Sequence, residues 1–200
     1  MILITGCGCS GTTYICNVLR RHGLDLTHDQ GVGKDGVVTN AVVDGEVWIY
    51  KYGYRGIVEY VDKKLPINNF DKIIHVIRHP LLVISSIMKK WRDWGKVWLH
   101  IEVGVSCKNM VPSLHNAMKY WLIWNQKIET YTDDRVKAED IFLDNKCILQ
   151  KLNLPFKEHS NKKIASSNKT KTYSWDDLEK KDDFLAKKIK NLALKYGYKD

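Results

Sequence analysis

The period of the apolar positions changes several times along the chain, and each change marks an element. Ile2-Leu3-Ile4 is an apolar run that predicts a short buried strand over 2–5. From Thr12 to about Arg21 the apolar residues Tyr14, Ile15, Val18 and Leu19 fall at helical spacing, and Gly23 marks the stop. Leu24-Asp25-Leu26 suits a second short strand, 29–37 (DQGVGKDGV) is a glycine-rich loop, and 37–43 (VVTNAVV) fits strand or helix. Residues 47–54 (VWIYKYGY) alternate, which puts Trp48, Tyr50, Tyr52 and Tyr54 on one face of a strand. The spacing over 55–64 predicts a helix that ends before Pro66. KIIHVI (72–77) reads as a buried strand, and a helix is expected from Pro80 because proline favours the first helical position. A long helix with a tryptophan-rich face is expected over 112–131, a strand running into a helix over 135–141, and a last helix over about 181–196. The segment 157–173 is basic, polar and without period, hence a loop.

Strands and helices therefore alternate. That order predicts an α/β fold, a three-layer α/β/α sandwich with a mainly parallel central sheet. The chain of 200 residues suits one domain spanning 1–200 and buries a full core without disulfides or metals. No internal repeat is visible.

Composition narrows the function classes only partly. Apolar residues make up 44% and charged residues 28%, as in ordinary soluble proteins. Lys and Arg number 32 against 23 Asp and Glu, a net charge of +9. The excess favours an anionic partner: nucleotide, nucleic acid, sulfated sugar or acidic membrane surface. Solvated surface lysines account for part of it. The five cysteines form no C-x-x-C pair, and Cys7-x-Cys9 has no second pair at ligand spacing, so reduced thiols of a cytoplasmic protein are expected and no metal site. The first residues carry no signal-peptide pattern. No apolar run approaches the ~20 residues of a membrane span, so no membrane partner is expected.

The chemistry starts at GCGCSGTT, residues 6–13. In the frame G-x-x-x-x-G-K-[ST] of a nucleotide P-loop, Gly6 and Gly11 hold the glycine positions and Thr13 the hydroxyl position. Thr12 stands where the lysine belongs. The loop amides and the next helix N-terminus can still cradle an anion. Without the lysine, and without an acidic strand end to hold Mg²⁺, the loop suits fewer phosphates and no metal. A glycine turn of no function is the alternative, and the order strand, loop, helix speaks against it. Further on, Arg78 closes the 72–77 strand and Ser86 lies eight residues later, about two helical turns on. Open α/β sheets bind ligands at strand carboxyl ends, where Arg78 offers a planar fork to a phosphate and Ser86 a hydroxyl.

Together, GCGCSGTT and IRHPLLVISS resemble the sulfotransferases that use 3′-phosphoadenosine 5′-phosphosulfate (PAPS). Those enzymes carry a lysine-free loop [RKH]-S-G-T-[ST] and an R-x-P-x-x-x-x-x-S motif. Ser10, Gly11, Thr12 and Thr13 match the first; Arg78, Pro80 and Ser86 match the second. AMKYWLIWN (117–125), RVKAEDI (135–141), YSWDDL (173–178) and LALKYGY (192–198) extend the likeness, more weakly, to the compact bacterial and viral members. The resemblance implies a P-loop fold, PAPS as cosubstrate with 3′,5′-ADP as product, no metal, and sulfuryl transfer to an acceptor hydroxyl. It implies that Gly8, Cys9, Ser10, Gly11, Thr12 and Thr13 hold the 5′-phosphosulfate and that Arg78 and Ser86 read the 3′-phosphate. A basic loop near the C-terminus closes the nucleotide site in the family, which points to Asn168, Lys169 and Lys171; a solvated hinge is the competing reading. Cys9 departs from the family's cation, so Lys51, Lys34, Arg55, Lys169 and Lys171 are the candidates to supply that charge.

Two neighbours past the first helix, His28 and Asp29, are placed to take the acceptor's proton. Asp29 is the first choice by resemblance, with His28 as orienter or alternative base; an ordinary histidine has the better native pKa. The competing reading is that both only cap a turn. The stripes Trp48/Tyr50/Tyr52/Tyr54 and Trp91/Trp94/Trp98 offer an acceptor platform, although core packing is the commoner fate of such stripes. Carbohydrate ranks first as acceptor. The rival functions are a P-loop small-molecule kinase, a PAPS-binding relative impaired by Cys9, and a nucleic-acid-binding protein, the last disfavoured.

Overall fold

The computed structural model describes residues 1–50, 61–89, 113–156 and 172–199. Strand β1 (Ile2–Gly6) runs through the middle of the main sheet. Helix α1 (Thr12–Arg21) leads to β2 (Leu26–His28) and β3 (Gly36–Val38). After a small second sheet come β7 (Lys72–Ile77), helix α2 (80–89), α3 (Leu114–Glu129), β8 (Arg135–Lys137), α4 (Ala138–Leu143) and α5 (Lys146–Lys151). The last elements are α6 (Trp175–Lys181) and α7 (Asp183–Lys195). The main sheet has the order β2-β3-β1-β7-β8, and every pairing in it is parallel. The α/β class and the parallel sheet are those expected from the alternation of patterns.

The two faces of β1 explain the layers. Ile4 packs with Ile15, Leu19, Val38, Ile74 and Val76, under α1, α4 and α5. Leu3 packs with Val37, Ile77, Met118 and Trp121, under α2, α3, α6 and α7. Alternate residues of one strand thus enter opposite cores, as the pleat requires. Trp121 and Trp124 of α3 are fully buried, which accounts for the tryptophan-rich face seen in the sequence. Ser113 caps α3 by accepting the Asn116 amide at 3.1 Å.

Several boundaries differ from expectation. The second strand is shifted to Leu26–His28, since Asp25 is occupied in accepting and donating turn bonds with Lys34 and Asp35. The helix expected over 55–64 is not there in its described part: Val61–Pro66 is strand β6. It pairs antiparallel with β5 (Glu46–Tyr50), Val47 opposite Leu65, and β5 pairs with β4 (Val42–Val43). The spacing of Val61 and Leu65 suits a helix turn as well as two same-face strand positions, and the pairing decides. A turn between Lys181 and Asp183 divides the C-terminal stretch into two helices. Ser174 and Asp177 build a capping box on α6, and Asp182 caps α7. Helices α5 and α6 were not foreseen.

Among the described residues, no helix is long and apolar enough to cross a membrane, and no group of three His, Cys, Asp or Glu could hold a metal ion.

Candidate functional site

Strands β1, β2, β3 and β7 point their carboxyl ends the same way, and the chemistry-bearing residues gather there. The loop after β1 turns at Ser10, whose amide bonds the Cys7 carbonyl at 2.8 Å. Cys9 has φ 70° and Gly11 has φ 91°, both left-handed. Gly11 is the N-cap of α1 and provides no side-chain cap, and the first turn holds no acidic residue. The amide end of α1 therefore stays electropositive, as an anion site requires. A Cβ at Gly11 would stand 2.6 Å from the Phe142 ring.

The loop is braced on two sides. Tyr120 of α3 accepts the Gly8 amide at 2.9 Å, and a Cβ at Gly8 would meet that same hydroxyl oxygen. Arg78, just past β7, donates from Nη1 to the Cys9 carbonyl at 2.7 Å. Its guanidinium also lies 5.7 Å from the Phe142 ring centroid. Arg78 is itself fixed: Trp121 donates to its carbonyl at 3.3 Å, and Glu139 accepts the next amide, His79, at 3.0 Å. Tyr198 donates to the other Glu139 oxygen at 2.8 Å, so the last residues of the chain help seat the start of α2. Two polar atoms here are buried with no partner among the described residues, Ser10 Oγ and Arg78 Nε. Buried donors are seldom left unmade, so both fit an anion held in this loop.

The third side is the end of β2. His28 Nε2 lies 3.1 Å from Thr12 Oγ1 and 3.2 Å from Thr13 Oγ1. His28 Nδ1 lies 3.0 Å from Asp29 Oδ2. A carboxylate only accepts, so Nδ1 is the donor toward Asp29; in the neutral imidazole that leaves the Nε2 lone pair to face the two threonine hydroxyls. The Asp29 side chain is 5% exposed and that of His28 24%, so the histidine is the member that faces outward. Asp29 has φ 58° and links the two sheets: its amide bonds Val38 and its carbonyl accepts the Tyr50 amide. Left-handed non-glycine residues cost of order 1–3 kcal/mol, and two of those among the described residues, Cys9 and Asp29, lie in this site.

The expected site residues Gly8, Cys9, Ser10, Gly11, Thr12, Thr13, Arg78, His28 and Asp29 are thus brought to one place. Ser86 is half-buried in α2, two turns beyond Arg78. Its neighbour Ser85 accepts the Tyr173 amide at 2.9 Å, which ties the exit of the 157–173 segment to the same helix. Asn168, Lys169, Lys171, Lys51 and Arg55 lie outside the described residues, as do Tyr52, Tyr54, Trp91, Trp94 and Trp98. Lys34 is excluded as the loop's cation. It is exposed in the turn before β3, where Asp35 bonds the start of β1, at the opposite end of the sheet. The aromatic platform is reduced as well: Tyr50 is 1% exposed and belongs to the core, while Trp48 carries the Lys64 ammonium 4.3 Å above its ring. Sequence reasoning missed Thr39, Tyr120 and Glu139, whose roles rest on contacts between distant segments.

No protein-family model matches the chain, and no curated protein matches it. Among solved structures, a sulfotransferase domain from the curacin biosynthetic pathway is similar with a TM-score of 0.44 at 14% identity, over 78% of this chain and 75% of that one.

Proposed function

We propose that the protein is a PAPS-dependent sulfotransferase that moves a sulfuryl group to an acceptor hydroxyl. The observation that carries this reading is the arrangement around one lysine-free loop: Arg78 reaches it from β7, and an aligned His28–Asp29 pair reaches it from β2. The resemblance of the two motifs supports the choice of nucleotide. In this reading the loop from Gly8 to Thr13 holds the 5′-phosphosulfate and Arg78 with Ser86 holds the 3′-phosphate. PAPS, when bound, supplies a sulfur whose bond to the bridging phosphate oxygen breaks as the bond to the acceptor oxygen forms, leaving 3′,5′-ADP.

The chain's own part is positioning, charge and a proton acceptor. His28 Nε2 takes the acceptor's proton, and Asp29 behind it stabilises the imidazolium that results. The roles of the two residues are thus the reverse of the first choice from sequence, because the buried Asp29 faces His28 rather than the loop. Arg78 brings a guanidinium to the carbonyl of Cys9, the residue that replaces the family's cation. Lys51, Asn168, Lys169 and Lys171 are proposed to complete the charge. Carbohydrate is the first acceptor class to screen.

The test is a thermal-shift titration with 3′,5′-ADP, with 5′-AMP and ATP·Mg²⁺ in parallel. A ligand that binds only the native state adds roughly 2.7 kcal/mol at a hundredfold excess over Kd. A shift with 3′,5′-ADP that Arg78→Ala sharply reduces supports the reading, and sulfur-labelled PAPS then identifies the acceptor. A larger shift with ATP·Mg²⁺ would hand the site to a kinase.

A further inference from the structure

Thr39 follows β3 and is fully buried. Its hydroxyl stands between two groups. It accepts the Ala41 amide at 3.1 Å and faces Asp29 Oδ1 at 2.7 Å. A threonine hydroxyl has one proton, and the carboxylate is the partner that needs it. Asp29 is therefore held through Oδ1 by Thr39 and through Oδ2 by His28 Nδ1. Fixing one carboxylate oxygen fixes the direction of the other. The chain of bonds runs from the Ala41 amide through Thr39, Asp29 and His28 to the hydroxyls of Thr12 and Thr13.

The surroundings keep this chain undisturbed. On α1, Cys16 is pushed up to about 11, first by burial and in smaller part by Asp29, with Arg20 opposing, so it stays a neutral thiol. From β5, Tyr50 contributes its backbone amide to the Asp29 carbonyl. Asp29 thus dictates where the imidazole proton sits, and it dictates Nδ1, the tautomer an isolated histidine disfavours.

We propose that Thr39 is a positioning residue which, acting through Asp29, puts the proton of His28 on Nδ1 and so makes Nε2 the base. Its effect on rate rests on the sulfuryl-transfer reading; its effect on the tautomer does not.

The experiment uses the full chain with ¹⁵N-labelled histidine in mildly alkaline buffer. His28 in the wild type shows the Nδ1–H pattern. Thr39→Val moves it toward Nε2–H, and Thr39→Ser, which keeps the hydroxyl, restores the wild-type pattern. In the transfer assay Thr39→Val lowers kcat about tenfold, the scale of one hydrogen bond to a charged group, at unchanged KM for PAPS. A wild-type spectrum with Nε2–H overturns the proposal without any variant, which covers the case that Thr39→Val does not fold. An unchanged tautomer in folded Thr39→Val overturns it too. If the tautomer responds to Thr39 and no acceptor is ever sulfated, the hold of Thr39 on His28 stands and the transfer reading falls.

Discussion

Asp29 stands directly behind His28, its Oδ2 3.0 Å from the imidazole Nδ1, and takes no place in the loop itself. Asp29→Asn should therefore act through the imidazole. An amide can offer N–H to Nδ1, which leaves Nε2 protonated and unable to accept. Transfer should fall by on the order of 10²–10⁴, the usual worth of a general base, while 3′,5′-ADP binding changes little. Calorimetric titration beside a labelled-transfer assay separates the two effects.

Arg78 combines a structural bond to the Cys9 carbonyl with donors left for a ligand. Arg78→Ala should weaken 3′,5′-ADP by about 10–100-fold, the range for lost hydrogen bonds to a charged group. Arg78→Lys should recover only part of this, since an ammonium cannot reproduce the planar fork. Equal affinity of the alanine variant and the wild type would remove Arg78 from the nucleotide site.

Gly11 joins a left-handed backbone to a close ring. Gly11→Ala should cost about 1–3 kcal/mol of stability, mostly from the φ of 91°. Phe142 is 40% exposed and its ring can yield. Adding Phe142→Ala to Gly11→Ala should therefore restore less than half of the loss in urea melts. A full restoration would show that the ring, and not the backbone, sets the cost.

His75 predicts a pH dependence away from the site. It is a fully buried residue of β7, and its Nε2 donates to Oδ1 of Asn125 on α3 at 2.9 Å. Burial pulls its pKa down to about 4, against the raising effect of that bond. The unfolded chain binds a proton near the ordinary histidine value, and the folded chain does not until about pH 4. Stability should therefore fall as pH drops through this window, by up to about 3 kcal/mol, and level off below it. Denaturant melts at pH 7 and 4.5 should show the loss in the wild type and a smaller one in His75→Gln.

What the sequence revealed depended on how local each determinant is. Arg78 and the helix after it were legible because a strand end and a proline at the first helical turn are near-neighbour rules. The loop after β1 was legible as a turn between strand and helix for the same reason: its glycines, hydroxyls and following helix lie within a few residues. β6 was not, because Val61 and Leu65 satisfy two periods and only their pairing with β5 chooses. Tyr120 was not legible, since its bond to Gly8 spans 112 residues. The order of His28 and Asp29 was equally hidden. Adjacent residues in sequence, they were separated into an outward and a buried member by Val38 and Tyr50 of other strands and by Thr39 just past β3.

The parallel main sheet has a consequence for how this protein assembles its candidate site. The loop, the His28–Asp29 pair and the arginine come from the ends of β1, β2 and β7, which lie beside one another only when the strands between them are paired. Parallel neighbours close long chain segments before contacts reward them, so such pairings form slowly. No partial assembly of the chain holds the whole site. Nucleotide present during refolding should leave the folding limb of the kinetics almost untouched and slow unfolding instead, acting as a clasp on the finished sheet rather than a template for making it.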